Sequence, residues 1–182
     1  MKAFLVNSYR KVHTLKIILL KKRVKIQGTV SGYFRAKLKV KGNGKILIGD
    51  NVSTLRMCRL SAIDQGVIQI GNNCYFNYNC LIVSRGEIII GDHCVFGPNV
   101  FLYDHDHRFG VNGIEEGYKV GKIHIGSNCW IGAGVIILRG TVIGDNCIIG
   151  AGTVVSGNIP GNSVITGTRT LSVKTMQLHE GR

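Results

Sequence analysis

With 182 residues, 45% of them apolar, the chain is long enough for one well-buried domain and leaves little room for a second. Its 25 glycines and 2 prolines, with no Gly-X-Y period, exclude a collagen-like or low-complexity chain and call for a fold with many tight corners. The net charge of +13 is localised: residues 1–60 hold 15 of the 23 Lys and Arg and one acid, Asp50. With no nucleic-acid module beside that charge, nucleic acid is not an expected partner.

From Phe4 to Lys22 the apolar residues Leu5, Tyr9, Val12, Leu15 and Leu19 recur at three- and four-residue intervals among Arg10, Lys11, Lys21 and Lys22. The pattern predicts a basic amphipathic helix. No apolar run is long enough for a secretory leader or for the ~20 residues of a membrane span, so a cytoplasmic protein is expected. Next, Ala36-Lys37-Leu38-Lys39-Val40-Lys41 alternates, which puts three lysines on one face of a strand in the first coil. Residues 1–45 therefore read as a basic cap that keeps an open solenoid from associating end to end. A sharper expectation adds contact with anionic lipid at the inner face of the membrane, or with an acidic polysaccharide or a pyrophosphate-linked sugar.

From Ile46 to Gly167 the sequence repeats itself. Ile125-Gly-Ser-Asn-Cys-Trp-Ile-Gly-Ala-Gly-Val-Ile136 and Ile143-Gly-Asp-Asn-Cys-Ile-Ile-Gly-Ala-Gly-Thr-Val154 agree at 8 of 12 positions, 18 residues apart. The same hexad opens at Ile48, Ile70 and Ile90, with spacings of 22 and 20 that imply small corner insertions. Such self-similarity marks a solenoid, in which an inward aliphatic residue, a glycine-containing corner and a small fifth residue recur. Three flat sides make one coil, and six to seven coils stack as parallel strands. Cys58, Cys74, Cys80, Cys94, Cys129 and Cys147 all occupy the fifth position, shared with Val52, Val100, Val135, Thr141 and Thr153. They read as small buried hydrophobes in a reducing compartment, with no Cys-X-X-Cys pair to favour zinc.

The hexad is lost between Tyr103 and Lys122. This long excursion from a rigid coil carries Asp104-His105-Asp106-His107-Arg108-Phe109-Gly110, the densest titratable cluster in the chain, followed by Glu115-Glu116. A neutral imidazole here would suit a general base near pH 7; a solvated surface loop is the plain alternative. His105 and His107, at i and i+2, also leave a metal site open, with His93 and His124 as possible further ligands.

The tandem hexads, the His-Asp-His excursion and Ile70-Gly-Asn-Asn-Cys-Tyr-Phe-Asn-Tyr-Asn79 together resemble the hexapeptide-repeat acyltransferases, particularly the galactoside, maltose and capsular-sugar O-acetyltransferase branch. The resemblance covers roughly residues 46–167. It implies an all-β left-handed parallel β-helix, with the N-terminal helix and one long protruding loop. It further implies a homotrimer with active sites between subunits, and acetyl-coenzyme A as cosubstrate with no metal. It places the catalytic histidine on His107, or on His105 if the loop shifts by a residue. It puts the acceptor at Asn77, with Tyr103 and Arg108 as further contacts. The pantetheine groove falls on Gly97, Ala133 and Ala151, with Ser156 and Gly157 further along and Trp130 as a wall. After the last coil Gly167-Thr-Arg-Thr-Leu-Ser-Val-Lys174 departs from the family's Gly-Val-Pro segment, and Arg169 and Lys174 stand where its phosphate-binding arginines would be. The tail runs through residues 168–182.

The resulting expectation is a cytoplasmic O-acetyltransferase that transfers directly to a hydroxyl of a sugar or surface polysaccharide, the acceptor possibly anionic. Three alternatives stand beside it. One is N-acetylation of an amino sugar, another a carbonic-anhydrase-like zinc enzyme, and the third a non-catalytic anion-binding coil.

Overall fold

A computed structural model describes residues 23–28 and 34–167. The N-terminal helix expected over 4–22, and Arg169 and Lys174, lie outside the described residues. The remainder is a prism of three parallel sheets, with no helix among the described residues.

The first face stacks Val24–Ile26, Lys45–Ile48, Val67–Ile70, Glu87–Ile90, Ile123–Ile125, Val142–Ile143 and Asn158–Ile159. The second stacks Ser53–Thr54, Tyr75–Phe76, Val95–Phe96, Trp130–Ile131, Ile148–Ile149 and Val164–Ile165. The third stacks Lys37–Val40, Arg59–Ala62, Leu81–Ser84, Phe101–Tyr103, Ile136–Ile137 and Val154–Val155. The coil thus begins upstream of Ile46, since Val24 pairs with Ile46 and Lys37 with Arg59. Lys37, Lys39 and Lys41 are all exposed.

In-register stacking turns the hexad's aliphatic position into continuous columns, because identical strand phases put the same alternate residue inward on every coil. Ile46, Ile68, Ile88 and Ile123 form one such column, each fully buried. Phe76 and Phe96 stack at 4.4 Å between ring centroids on the second face.

The corner after the first face needs a left-handed residue, and Asn51, Asn73, Asn128 and Asn146 supply it with φ between 53° and 58°. His93 fills the same slot at φ 56°, which gives this histidine a structural place. The asparagine amides also form ladders, as between Asn51 Nδ2 and Asn73 Oδ1 at 2.9 Å.

All six cysteines are buried free thiols. They do more than fill space: Cys74 Sγ donates to Gly91 O, and Cys94 Sγ to Gly126 O, both at 3.1 Å, while Cys129 reaches Gly144 O at 3.2 Å. Each thiol therefore satisfies a corner carbonyl of the next coil. Cys94→Val, a residue already tolerated at equivalent corners, is expected to change stability by only about 1 kcal/mol. Cys94→Leu overfills the same slot and should destabilise by about 1–3 kcal/mol in urea unfolding.

Candidate functional site

The three edges of the prism differ in chemistry. The edge between the second and third faces is a column of corners at 55–58, 77–80, 97–100, 132–135 and 150–153. Backbone bonds join them from coil to coil, with Asn99 N donating to Tyr78 O, Gly134 N to Pro98 O, and Gly152 N to Ala133 O. Asn77, Gly97, Ala133 and Ala151, predicted to contact acceptor and pantetheine, lie on successive corners of this edge, the two alanines one position further along than Asn77 and Gly97 and in line with Tyr78 and Pro98. A Cβ on Gly97 would lie 2.7 Å from the Ala133 backbone nitrogen, so coil packing alone demands this glycine. Ala133 and Ala151 are exposed and leave an open strip. Asn77 Oδ1 accepts from Tyr78 N at 2.8 Å, which fixes the side chain in a local turn and leaves Nδ2 as its remaining donor. Trp130 projects from the neighbouring second face, 56% exposed between Val95 and Ile148.

The excursion leaves the edge between the third and first faces. It is a β-hairpin rather than an irregular loop: His105–Gly110 pairs antiparallel with Gly113–Val120. The coil closes beneath it without a gap, since Ile88 pairs directly with Ile123 and Phe101 with Ile136. Strand alternation puts His105 and His107 on one side of the hairpin, opposite Val120 and Tyr118 respectively. The Tyr118 ring lies 5.3 Å from that of His105 and 4.9 Å from that of His107. A register shift after His107 sets Arg108 opposite Glu115. Tyr103 flanks the root, its ring 6.3 Å from that of His105.

Asp104 anchors this root. Its fully buried carboxylate accepts from Ser84 Oγ at 2.7 Å, Gly86 N at 2.8 Å, Arg85 N at 2.9 Å and His105 Nδ1 at 2.9 Å. Burial pushes its pKa upward, but the bonds from His105, Arg85, Ser84 and Gly86 outweigh burial and hold it below the ordinary 3.8. Against an ionised Asp104, His105 Nδ1 is the protonated nitrogen, so Nε2 of the neutral ring carries the lone pair. His105 is nonetheless only 12% exposed in its side chain, whereas His107 is exposed. Arg85 completes the cluster by placing its guanidinium carbon 3.6 Å from the Tyr118 ring centre while pairing with Asp64. Asp106, on the other side of the hairpin, pairs with Arg139 of a later corner.

Ser84, Arg85 and Tyr118 are missing from the residues singled out by sequence. The one available signal was the replacement of an ordinary corner by Ser84-Arg85-Gly86 directly below the excursion. The predicted coenzyme residues divide between two edges: Ser156 and Gly157 lie at a corner on the hairpin edge, away from Gly97, Ala133 and Ala151. Within the chain the histidines and Asn77 also occupy different edges, separated by the third face. His124 projects from the first face, and among the described residues no three His, Cys, Asp or Glu side chains converge as a metal donor set. No helix among the described residues is long and apolar enough to cross a membrane.

Residues 122–157 match the bacterial transferase hexapeptide model, six repeats of which are the sequence signature of a left-handed coil. A Staphylococcus aureus protein named as an acetyltransferase is 44% identical over 101 residues, 55% of this chain and 51% of its own. This chain spans about half the length of the curated relatives it matches. Among solved structures, a galactoside acetyltransferase in complex with coenzyme A is 28% identical, with a TM-score of 0.52 over 77% of this chain and 58% of that one. The N-acyltransferase AntD from Bacillus cereus, at 23% identity, has a TM-score of 0.66 over 87% of this chain and 88% of its own, which is a likeness of fold.

Proposed function

Because the chain belongs to the hexapeptide-repeat transferase family, we propose that it moves an acetyl group from acetyl-coenzyme A to a sugar hydroxyl. The observation that carries this reading is the pair of imidazoles held on one side of the only excursion from an otherwise unbroken coil among the described residues.

His107 is the general base of this proposal. It is exposed, held against Tyr118, and free to meet an acceptor, while the more enclosed His105 is spent on Asp104 and orients the hairpin. The His107 imidazole takes the hydroxyl proton as the oxygen attacks the thioester carbonyl carbon. The carbon–sulfur bond then breaks, and coenzyme A leaves as a thiol after taking up that proton. Asn77 Nδ2 donates to an acceptor oxygen. Ala133 and Ala151 leave room for the pantetheine arm along their edge, where larger side chains would fill the strip. Holding thioester and hydroxyl together supplies much of the rate.

The separation of His107 from Asn77 favours a site completed by two subunits, in which one protomer's hairpin reaches its neighbour's small-residue edge. The exposed apolar column Val95, Trp130, Ile148 and Val164 suits subunit contact in the expected homotrimer. The sequence likeness to a protein named galactoside O-acetyltransferase supports oxygen over nitrogen as the acceptor atom. Release of free thiol from acetyl-coenzyme A across a panel of neutral sugars, amino sugars, nucleotide sugars and acidic glycans tests the reading. Turnover with at least one hydroxyl acceptor is expected. Turnover confined to amino sugars would move the reaction to N-acetylation, and none with any member would remove the acetyltransferase reading.

A further inference from the structure

At the N-terminal end of the edge that carries Asn77, three successive corners, at 35–36, 55–58 and 77–80, line an open cavity of about 310 Å³ with Arg35, Leu55, Arg56 and Tyr78. Its frame is fixed. The buried Thr54 hydroxyl accepts from both Arg35 N and Ala36 N at 2.8 Å, and Asn79 N donates to Arg56 O at 3.1 Å, which ties the arginine corner to the tyrosine corner above it. Tyr78 is 51% exposed, comes directly after Asn77, and bonds its Oδ1.

Charge is uncompensated here. Among the described residues neither Arg35 nor Arg56 forms an ion pair with a carboxylate, unlike Arg85 and Arg139, which each find an aspartate. Lys37 and Arg59, paired in register and both exposed, extend the positive field onto the third face. Two guanidinium groups beside an aromatic ring make a site that bonds anionic oxygens through planar donors and offers a flat surface for a ring to stack on.

Resting on the acetyltransferase reading, we propose that the acceptor is an anionic sugar derivative. Its phosphate or carboxylate docks on Arg35 and Arg56, its adjoining ring lies on Tyr78, and its reactive hydroxyl extends past Asn77. The positive cavity lies at the opposite end of the edge from Ala151, so the acceptor enters from one end of the strip and the coenzyme from the other.

Isothermal titration of the full chain with UDP-glucose, oligogalacturonate and methyl galactoside tests this. One of the two anionic probes should bind best, with affinity that falls as salt is added. The Arg35→Ala/Arg56→Ala double variant should weaken that binding by about tenfold to a hundredfold while the KM for acetyl-coenzyme A is unchanged. Tyr78→Ala should lose affinity for the same probe, and circular dichroism establishes that both variants keep the fold. Preference for UDP-glucose identifies phosphate as the docked group, and preference for oligogalacturonate identifies carboxylate. The proposal is overturned if methyl galactoside binds as tightly as either anion, if neither anion binds, or if the double variant affects only acetyl-coenzyme A. Arginine-dependent binding without acetyl transfer would leave this site standing and remove the acetyltransferase reading. Transfer to neutral sugars indifferent to the arginines would do the reverse.

Discussion

Replacing His107 by alanine should lower kcat by about 10²–10⁴, with little change in the KM for acetyl-coenzyme A, because the lost group acts on the proton in flight rather than on the coenzyme. His105→Ala should cost less, since its Nδ1 is committed to Asp104 and its ring is enclosed by Tyr103 and Tyr118. The reverse order would transfer the base to His105, and full activity in both variants would sink the mechanism. Subunit sharing adds a sharper readout. Asn77→Ala and His107→Ala chains, each impaired alone, regain activity when refolded together if the histidine of one protomer works with the asparagine of another. Random mixing of equal amounts restores roughly a quarter of the grooves of a closed ring. No recovery would confine both groups to the same chain.

Asp104→Ala is the second large effect. The substitution strands a buried hydroxyl and two partly buried backbone amides, and frees His105, so a loss of about 3–5 kcal/mol in chemical unfolding is expected. Asp104→Asn should be milder, because one amide oxygen still accepts while its nitrogen meets groups that are themselves donors. Activity should fall about 10²-fold in either variant that still folds, through misplacement of the hairpin that carries His107. The pH dependence has a definite sign. Asp104 has a depressed pKa in the folded protein, so its stabilisation is complete above the unfolded carboxylate value and is lost as pH falls below 3.8 through the folded value. The stability gap between wild type and Asp104→Ala should therefore close in acid. A gap that persists unchanged below that range would assign the effect to packing instead of charge.

Much of this molecule was legible in its sequence because the hexad is a local rule with a three-dimensional consequence. Once Ile48, Ile70 and Ile90 are seen to open equivalent corners, the columns they form and the burial of all six cysteines can be deduced. The hydrogen bonds those thiols make to the next coil cannot, since a fifth-position residue reads only as small. The excursion was visible as a loss of period at Tyr103, but its antiparallel pairing was not: Gly110 to Gly113 carries a turn, while the two strands lack the alternating burial that marks a half-buried pair. The Asp104 anchor escaped for a different reason. It joins residues about twenty positions apart, and the irregular corner Ser84-Arg85-Gly86 does not by itself announce that it lies directly beneath Asp104. The grouping of Arg35, Arg56 and Tyr78 depends likewise on a coil length of about 22 residues in the first turns, where corner insertions break the regular count of 18.

The direct stacking of Ile88 on Ile123 has a consequence for how such a coil can change. Because the ladder runs on beneath the hairpin, the coil's stability is largely indifferent to the segment spliced in at that point: a longer, shorter or altered insert leaves every neighbouring rung in register. Asp104, at the junction, belongs to the scaffold, while the hairpin residues beyond His105, His107 and Tyr118 are free to drift. The hairpin can then diversify as a single surface graft, while the frame that supports it stays under separate and stricter selection.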